Sequence, residues 1–363
     1  MAVTTAERTA PVATKRKKNA FSDGQGALAA MLLAPTMLVL LLVAGIPIIM
    51  SVTESFFRTN DRIDPQTGLV QTGTNFVGFQ NFTDIFAHPA TVVGVYGSMD
   101  RLVNSFINTT LFTVVCVILE TVLGVSMALI MAKAFRGRGL VRASILVPWA
   151  IPTIVSAMMW KLIFNTSGVA NKVLGLTNNP ILWLADNKYS QISIIVADVW
   201  KTAPFIGLLT LAGLQTIPAE VYEAARVDGA NAWQTFVRIT LPMVKPALVV
   251  AVLFRTLDTL RMFDLPYGMI GANKYSVETL SMFAYQETMQ TRYGPAAAYS
   301  IILFFYIVLV AFLFVKLLGA DVVGDEELKA VNAQRKRMKA LHQQQAKAAG
   351  RVRTNVTSGS AAS

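Results

Sequence analysis

The sequence predicts an all-α integral membrane protein with six transmembrane helices, and three observations carry that prediction. Of 363 residues, 54% are hydrophobic and only 15% are charged, with a mean hydropathy of +0.51. A soluble domain carries about 25% charged residues, so the apolar excess faces lipid. Uncharged stretches near or above the roughly 20 residues needed to cross a hydrocarbon core of about 30 Å recur along the chain. The 32 Lys and Arg residues also divide unequally between alternate loops, the pattern that sets orientation in a bilayer.

Residues 1–26 are small, polar and basic, with the run Lys15-Arg16-Lys17-Lys18, and are read as a cytoplasmic tail too poor in apolar groups to fold. Ala27 to Met50 is 24 residues without a charge, against about 7 to 15 for the apolar part of a signal peptide, so it is read as an uncleaved first span. Further spans are predicted at Ser105–Ala132, interrupted by Glu120, at Ala143–Phe164, at Ile192–Gln215 and at Gly294–Val315. A fifth in order, Leu241–Phe263, is weaker, because Arg255, Asp258 and Arg261 follow its uncharged run from Pro246 to Phe254. Charge decides for it. With six spans the two tails share a side, which then holds 21 Lys and Arg against 7 in the opposite loops, the other four lying in or beside spans. The bias puts both termini in the cytoplasm of a multi-pass protein of the plasma membrane. Residues 27–319 thus form the transmembrane domain, with a cytoplasmic loop at 216–242, and 320–363 form a second basic tail. Within that tail the stretch from Asp325 to Ala349 has only a sparse apolar stripe. The net charge of +11 reports orientation and attraction to anionic headgroups, with no indication of nucleic acid.

Several chemistries are excluded by composition. A single cysteine, Cys116, allows neither an intrachain disulfide nor a thiolate metal cluster, and His88 and His342 lie far apart in polar stretches, so no metal site is expected. Neither a G-x-x-x-x-G-K-[ST] loop nor a G-x-G-x-x-G after a predicted strand occurs. No serine–histidine–aspartate arrangement is apparent. The chain is therefore expected to be no enzyme and to hold no cofactor.

The cytoplasmic loop carries the most information. Pro218 suits a first helical turn, residues 220–227 are helix-compatible, and Gly229 breaks the helix. Ala232, Trp233, Phe236 and Val237 then mark one apolar face of a second helix. On periodicity alone, an interfacial helix pair that anchors the loop is as good an account as a docking element.

Glu223-Ala224-Ala225, then Gly229, then nine residues and Ile239-Thr240-Leu241-Pro242 resembles the EAA loop of ABC importer permeases, E-A-A-x3-G-x9-I-x-L-P. Asp228 before the glycine, and Gly213 to Pro218 upstream, resemble the carbohydrate branch of that binding-protein-dependent family, the maltose/trehalose type. Asn75 to Phe82, Asn104 to Thr110, Pro148-Trp149-Ala150-Ile151-Pro152 and Trp200 to Phe205 agree with it, and the resemblance runs from about Ala27 to Gly319. It implies a type I ABC importer permease fold, in which Glu223, Ala224, Ala225, Asp228 and Gly229 form a cytoplasmic coupling helix docked on a separate ATPase. The implied partners are a second permease subunit, an ATPase dimer carrying ATP and Mg, and an external sugar-binding protein. Glu223 would offer an acceptor, the alanines a close approach and Gly229 the turn.

A sugar path needs polar groups inside the membrane, where they are costly unless they face a cavity or a partner. Arg255, Asp258 and Arg261 recur along one side of span five, and Trp200, Lys201 and Thr202 precede Pro204 in span four. Carried over by position, the resemblance puts sugar contacts at Thr202 and Phe205 and near Phe254, Asp258 and Arg261, with Trp200 beside them. It also marks a departure, a charge pair where the maltose-type permease has neutral amides. The structural alternatives are a self-satisfied pair for Asp258 and Arg261, helix-to-helix hydrogen bonding for Glu120, and packing for the aromatic residues. The expected cargo is a disaccharide such as trehalose or maltose. Glycerol 3-phosphate or a polyol is the alternative, with Arg255 and Arg261 as anion contacts, and a channel or membrane enzyme a remote one that has no use for an ATPase-docking helix.

Overall fold

The computed structural model describes residues 22–63, 70–87, 90–318, 334 and 338. The predicted basic tails lie outside these, except for Gln334, Met338 and residues 22–26, which open the first helix. Two compact units divide between Glu54 and Ser55. The first carries the predicted first span as one run, Leu28–Glu54, with none of its most apolar stretch buried. Its α-helix passes through a π turn at Leu41–Gly45. Pro47 has no N–H to return to Val43, and the N–H of Ile46 reaches five residues back to Leu41 O.

Among the described residues of the second unit, four helices are long and apolar enough to cross a membrane alone: Arg101–Ala132, Asn187–Leu214, Ala232–Leu260 and Tyr293–Leu317. The predicted third span is not one helix. It is Arg138–Ala150 and Thr153–Ile163, bent by 94° at the break, and it makes the sixth span when the pair is counted as one. The cause is local, because Pro152 disfavours helical geometry at the residue before it, and Ile151 is accordingly extended (φ −73°, ψ 133°). A second correction concerns the loop between spans four and five. The predicted second amphipathic helix is not separate from span five but continuous with it from Ala232, through a π turn at Phe236–Thr240 just before Pro242. The fold is mostly helical, with two antiparallel hairpins added between spans one and two, Phe57–Ile63 with Val70–Phe76 and Thr91–Gly94 with Gly97–Asp100.

Span four is the hub, with 61% of its most apolar stretch buried, against 33% for span two and less for the others. Small residues let its neighbours approach: a Cβ on Gly124 of span two would lie 2.8 Å from Ile206 Cβ, and one on Gly213 would lie 2.6 Å from Ala247 Cβ of span five. Asp100 and Asp186 cap the N-terminal ends of spans two and four by accepting from backbone N–H groups of the first turn. Between spans five and six, the segment Tyr275–Leu280 is strapped to these ends by side-chain amides. Asn104 and Asn108 both donate to Tyr275 O, at 2.7 and 2.9 Å, and Gln191 donates to Ser276 O at 2.8 Å. Beneath it, Arg101 holds Glu278 through two bonds of 2.9 and 2.6 Å and lies over the Phe283 ring. A buried charge needs such pairing.

Candidate functional site

Three, four and five are the spans that enclose a cavity of about 560 Å³, which holds Trp149 and Thr153 beside the bend and Lys201, Thr202 and Asp258 opposite. Its floor is Arg255, only 3% exposed, whose guanidinium reaches three helices. Nε donates to Glu120 Oε2 of span two at 2.6 Å and Nη2 to Glu120 Oε1 at 3.0 Å. Nη2 also pairs with Asp198 of span four, and Nη1 with Asp258 Oδ2, one turn on, at 2.8 Å. The Thr202 hydroxyl lies 2.5 Å from Glu120 Oε1. Lys201 is buried and gives its ammonium to Ile151 O at 2.8 Å, satisfying a carbonyl freed by the bend. Three carboxylates, Glu120, Asp198 and Asp258, thus face three cations, Lys201, Arg255 and Arg261, and Asp264 on the cavity wall is a fourth carboxylate, so the carboxylates outnumber the cations by one.

The charges differ in exposure. Glu120 is fully buried, whereas the side chains of Asp258 and Arg261 are 55% and 69% exposed. Asp258 accepts from Arg261 Nη2 at 3.3 Å, so the sequence-predicted pair exists, but its firmer partner is Arg255. A smaller cavity of about 240 Å³ adjoins the first, sharing Trp149, Thr202, Asp258 and Arg261 and adding Phe205 and Phe254. Five of the six path residues expected from sequence therefore converge: Thr202, Phe205, Phe254, Asp258 and Arg261. Trp200 does not. It packs edge-on to Trp160 at 5.6 Å and lines an apolar recess with Leu119 and Pro204. Two residues along a helix is about 200° of rotation, so Trp200 and Thr202 face opposite ways.

Sequence reasoning missed Asp198, Trp149 and Thr153 as cavity residues. Asp198 carried a signal, a lone acid three residues before Lys201 and four before Thr202 on one helical face. Cys116, Glu120 and Asp198 bring possible metal ligands within 4.8 Å of one another. The guanidinium of Arg255 already bonds both carboxylates there, which fills the place a cation would take.

The loop at the other end of spans four and five is equally defined. Its helix, Ala219–Val227, exposes Glu223 and Ala224 and turns Ala225 inward. Tyr222 packs with Leu214, Ile217 and Val244 at the ends of these spans. Helix termination is a Schellman arrangement: Gly229 N–H donates to Arg226 O at 3.2 Å, Ala230 N–H donates to Ala225 O at 3.0 Å, and Gly229 has φ +73°. Asp228 is the C-cap. Asn231 then opens the next helix with a capping box to Gln234.

Residues 120–323 match the family described as the binding-protein-dependent transport system inner membrane component. A trehalose/maltose transport system permease protein of Thermococcus litoralis is 41% identical over 63% of this chain and 75% of its own length. The chain is also similar to a trehalose transport system permease protein of Mycobacterium tuberculosis, at 33% identity over 88% and 97% of the two chains. A sulfoquinovosyl glycerol transport system permease protein of Agrobacterium fabrum is 36% identical over 76% and 85%. Among solved structures, a bacterial alginate ABC transporter in complex with a periplasmic protein superposes with a TM-score of 0.68 at 20% identity, covering 83% of this chain and 96% of that one. That likeness is one of fold.

Proposed function

We propose, from the premise that the chain belongs to the binding-protein-dependent transport system inner membrane component family and is a sugar ABC importer permease, that its cargo is a neutral disaccharide of the trehalose or maltose kind. The observation that carries this is the charge of the cavity. Four carboxylates, Glu120, Asp198, Asp258 and Asp264, against three cations leave no positive field to attract an anion, while exposed Asp258 and Arg261 offer an acceptor and donors suited to hydroxyl groups. Sugar would come from an external binding protein and pass between this chain and a second permease subunit. Exposed Glu223 and Ala224, with Gly229 ending their helix, would seat the loop on an ATPase dimer, where ATP and Mg would reside. Packing of Tyr222 against the ends of spans four and five offers a stiff link from that helix to the cavity. This reading places both termini in the cytoplasm, and it gives this chain no cofactor and no nucleic-acid partner.

A second reading has one specific support, the relative named for sulfoquinovosyl glycerol. A sulfonated or phosphorylated sugar would add a negative charge to a cluster whose carboxylates already outnumber its cations. ATP-driven uptake by the complete importer in liposomes separates the two. Labelled trehalose or maltose should accumulate and a sulfonated glycoside should not compete; uptake of the sulfonated sugar alone would overturn the neutral assignment.

A further inference from the structure

The apolar recess lined by Trp200 shares no residue with the two cavities of the charged cluster. About 470 Å³ in volume, it is walled by Leu119, Leu123 and Met127 of span two, by Ser144, Ile145 and Pro148 of span three, and by one side of span four from Ile195 to Pro204. The bend in span three makes it. Ile145 packs near Leu211 and Leu214, and Trp149 stacks on Phe205, so spans three and four run antiparallel and a straight span three would continue toward Ile195. Instead Thr153–Ile163 departs by 94°. Leu119, Leu123 and Val196 are left open, each 42–44% exposed.

One end of the recess faces a basic turn. Met127 lies six residues before Lys133 and Ser144 six after Arg138, about 9 Å along either helix. Lys133, Arg136 and Arg138 are exposed, and no Asp or Glu occurs between Glu120 and Asp186. Among the described residues these three cations take part in no ion pair. Arg142 is different, because it donates to Met131 O at 3.0 and 2.6 Å and so ties the turn to span two.

We propose that the recess binds an anionic phospholipid, with one acyl chain between spans two, three and four and the phosphate headgroup at Lys133, Arg136 and Arg138. The recess runs about 14 Å along span four from Ile195 to Pro204, close to half of a hydrocarbon core of roughly 30 Å. Its volume is on the order of fifteen water-sized units of about 30 Å³, the bulk of most of one chain. Charge chooses the occupant. A second protein surface would need an acidic group placed over the turn, whereas an anionic lipid brings its phosphate to the headgroup level, where the basic turn lies. The chain in the recess supports the first half of span three against span four where the second half has turned aside. Nothing in this depends on which sugar is carried.

The test uses the assembled importer in phosphatidylcholine vesicles, with an acyl-chain diazirine carried in turn by phosphatidylglycerol and by phosphatidylcholine, and maps the photolabelled residues. Exposed Phe304 and Leu309 of span six report ordinary boundary lipid. Phosphatidylglycerol should label the recess residues above the span-six level and above phosphatidylcholine. Equal labelling of recess and span six would reduce the site to boundary lipid and overturn it; an unlabelled recess beside a labelled span six would show another protein surface there and overturn it too. Ser144→Trp, which fills the recess and leaves the charges, should bring its labelling down to the span-six level, and unchanged labelling would overturn the acyl-chain placement. Arg136→Gln with Arg138→Gln, which keeps Lys133 and Arg142 for orientation, should cut the phosphatidylglycerol excess by at least about fivefold, the weight of one cation at an anionic surface. An undiminished excess would overturn the headgroup assignment. Where a variant does not assemble, the two lipids compared on the wild-type complex still decide the proposal.

Discussion

Arg255 and Asp258 are one helical turn apart, yet exposure makes their charges different in kind. Arg255 and Glu120 are paired at 2.6 Å with side chains 4% and 0% exposed. Removing one member of such a pair strands the other and costs about 3–5 kcal/mol. The Asp258 carboxylate is half exposed, and ion pairs of that sort contribute about 0–1 kcal/mol. Glu120→Gln should therefore lower assembly yield and thermal stability of the complex. Asp258→Asn should leave assembly near wild type, since Arg255 keeps Glu120 and Asp198, and should shift apparent sugar affinity or preference. Assembly and uptake of competing sugars, measured on Asp258→Asn and on the double variant with Arg261→Asn, check this. Loss of assembly in Asp258→Asn, regained with unaltered preference in the double variant, would make the pair structural. Part of this was legible in the sequence, since three charges at i, i+3 and i+6 of span five announced a polar face. Their partners were not, because Glu120 and Asp198 meet Arg255 across helices whose relative register no single-chain periodicity contains. Trp200 shows the reverse. Its neighbourhood to Thr202 in sequence suggested a shared site, and helical rotation alone puts them on opposite faces.

At the scale of elements, prolines decide where helices depart from regularity. Pro47 and Pro242 each follow a π turn within two residues, and Pro152 follows the extended residue that bends span three. Composition announced the spans, whereas the 94° bend depended on how the chain resolves a Pro148–Pro152 segment that hydropathy reads as uniformly apolar. The continuity of the loop's second helix with span five was hidden for a related reason, since the charged residues of that span mask its length. Gly229 was legible as a breaker, and its φ of +73° gives the reason. No atom lies within 4 Å of a Cβ built there, so a substitution meets a conformational cost and not a clash. Left-handed geometry costs an ordinary residue about 1–2 kcal/mol, with Asn tolerated best. Gly229→Val should accordingly reduce sugar-stimulated ATP hydrolysis and transport while the subunits still co-purify, and Gly229→Asn should retain both. Wild-type stimulation in Gly229→Val would remove the turn from the coupling pathway.

For the whole molecule, the bent third span decides topology. If it crosses, the tails share one side, and Lys and Arg divide 21 to 7 between the sides. If it dips and returns, everything after it inverts. The loop with Glu223 and the basic C-terminal tail then move outside, and with the same four in-span residues excluded the division becomes 13 inside to 15 outside. Orientation follows Lys and Arg in short loops near span ends, so the even division disfavours the re-entrant arrangement by the chain's own composition. The structure offers a sharp place to test it, because Asn178 is exposed in the loop between spans three and four, and this loop changes side between the two arrangements. Cys116 is buried in span two and can be replaced, leaving single cysteines to be introduced at Asn178, within 67–73, and after Gly350. An impermeant thiol reagent added outside intact cells should label Asn178→Cys and the 67–73 site, and should reach the tail site only after the membrane is opened. Labelling of the tail from outside, with Asn178→Cys silent, would establish five crossings and place the loop carrying Glu223 and Gly229 beyond reach of any cytoplasmic ATPase.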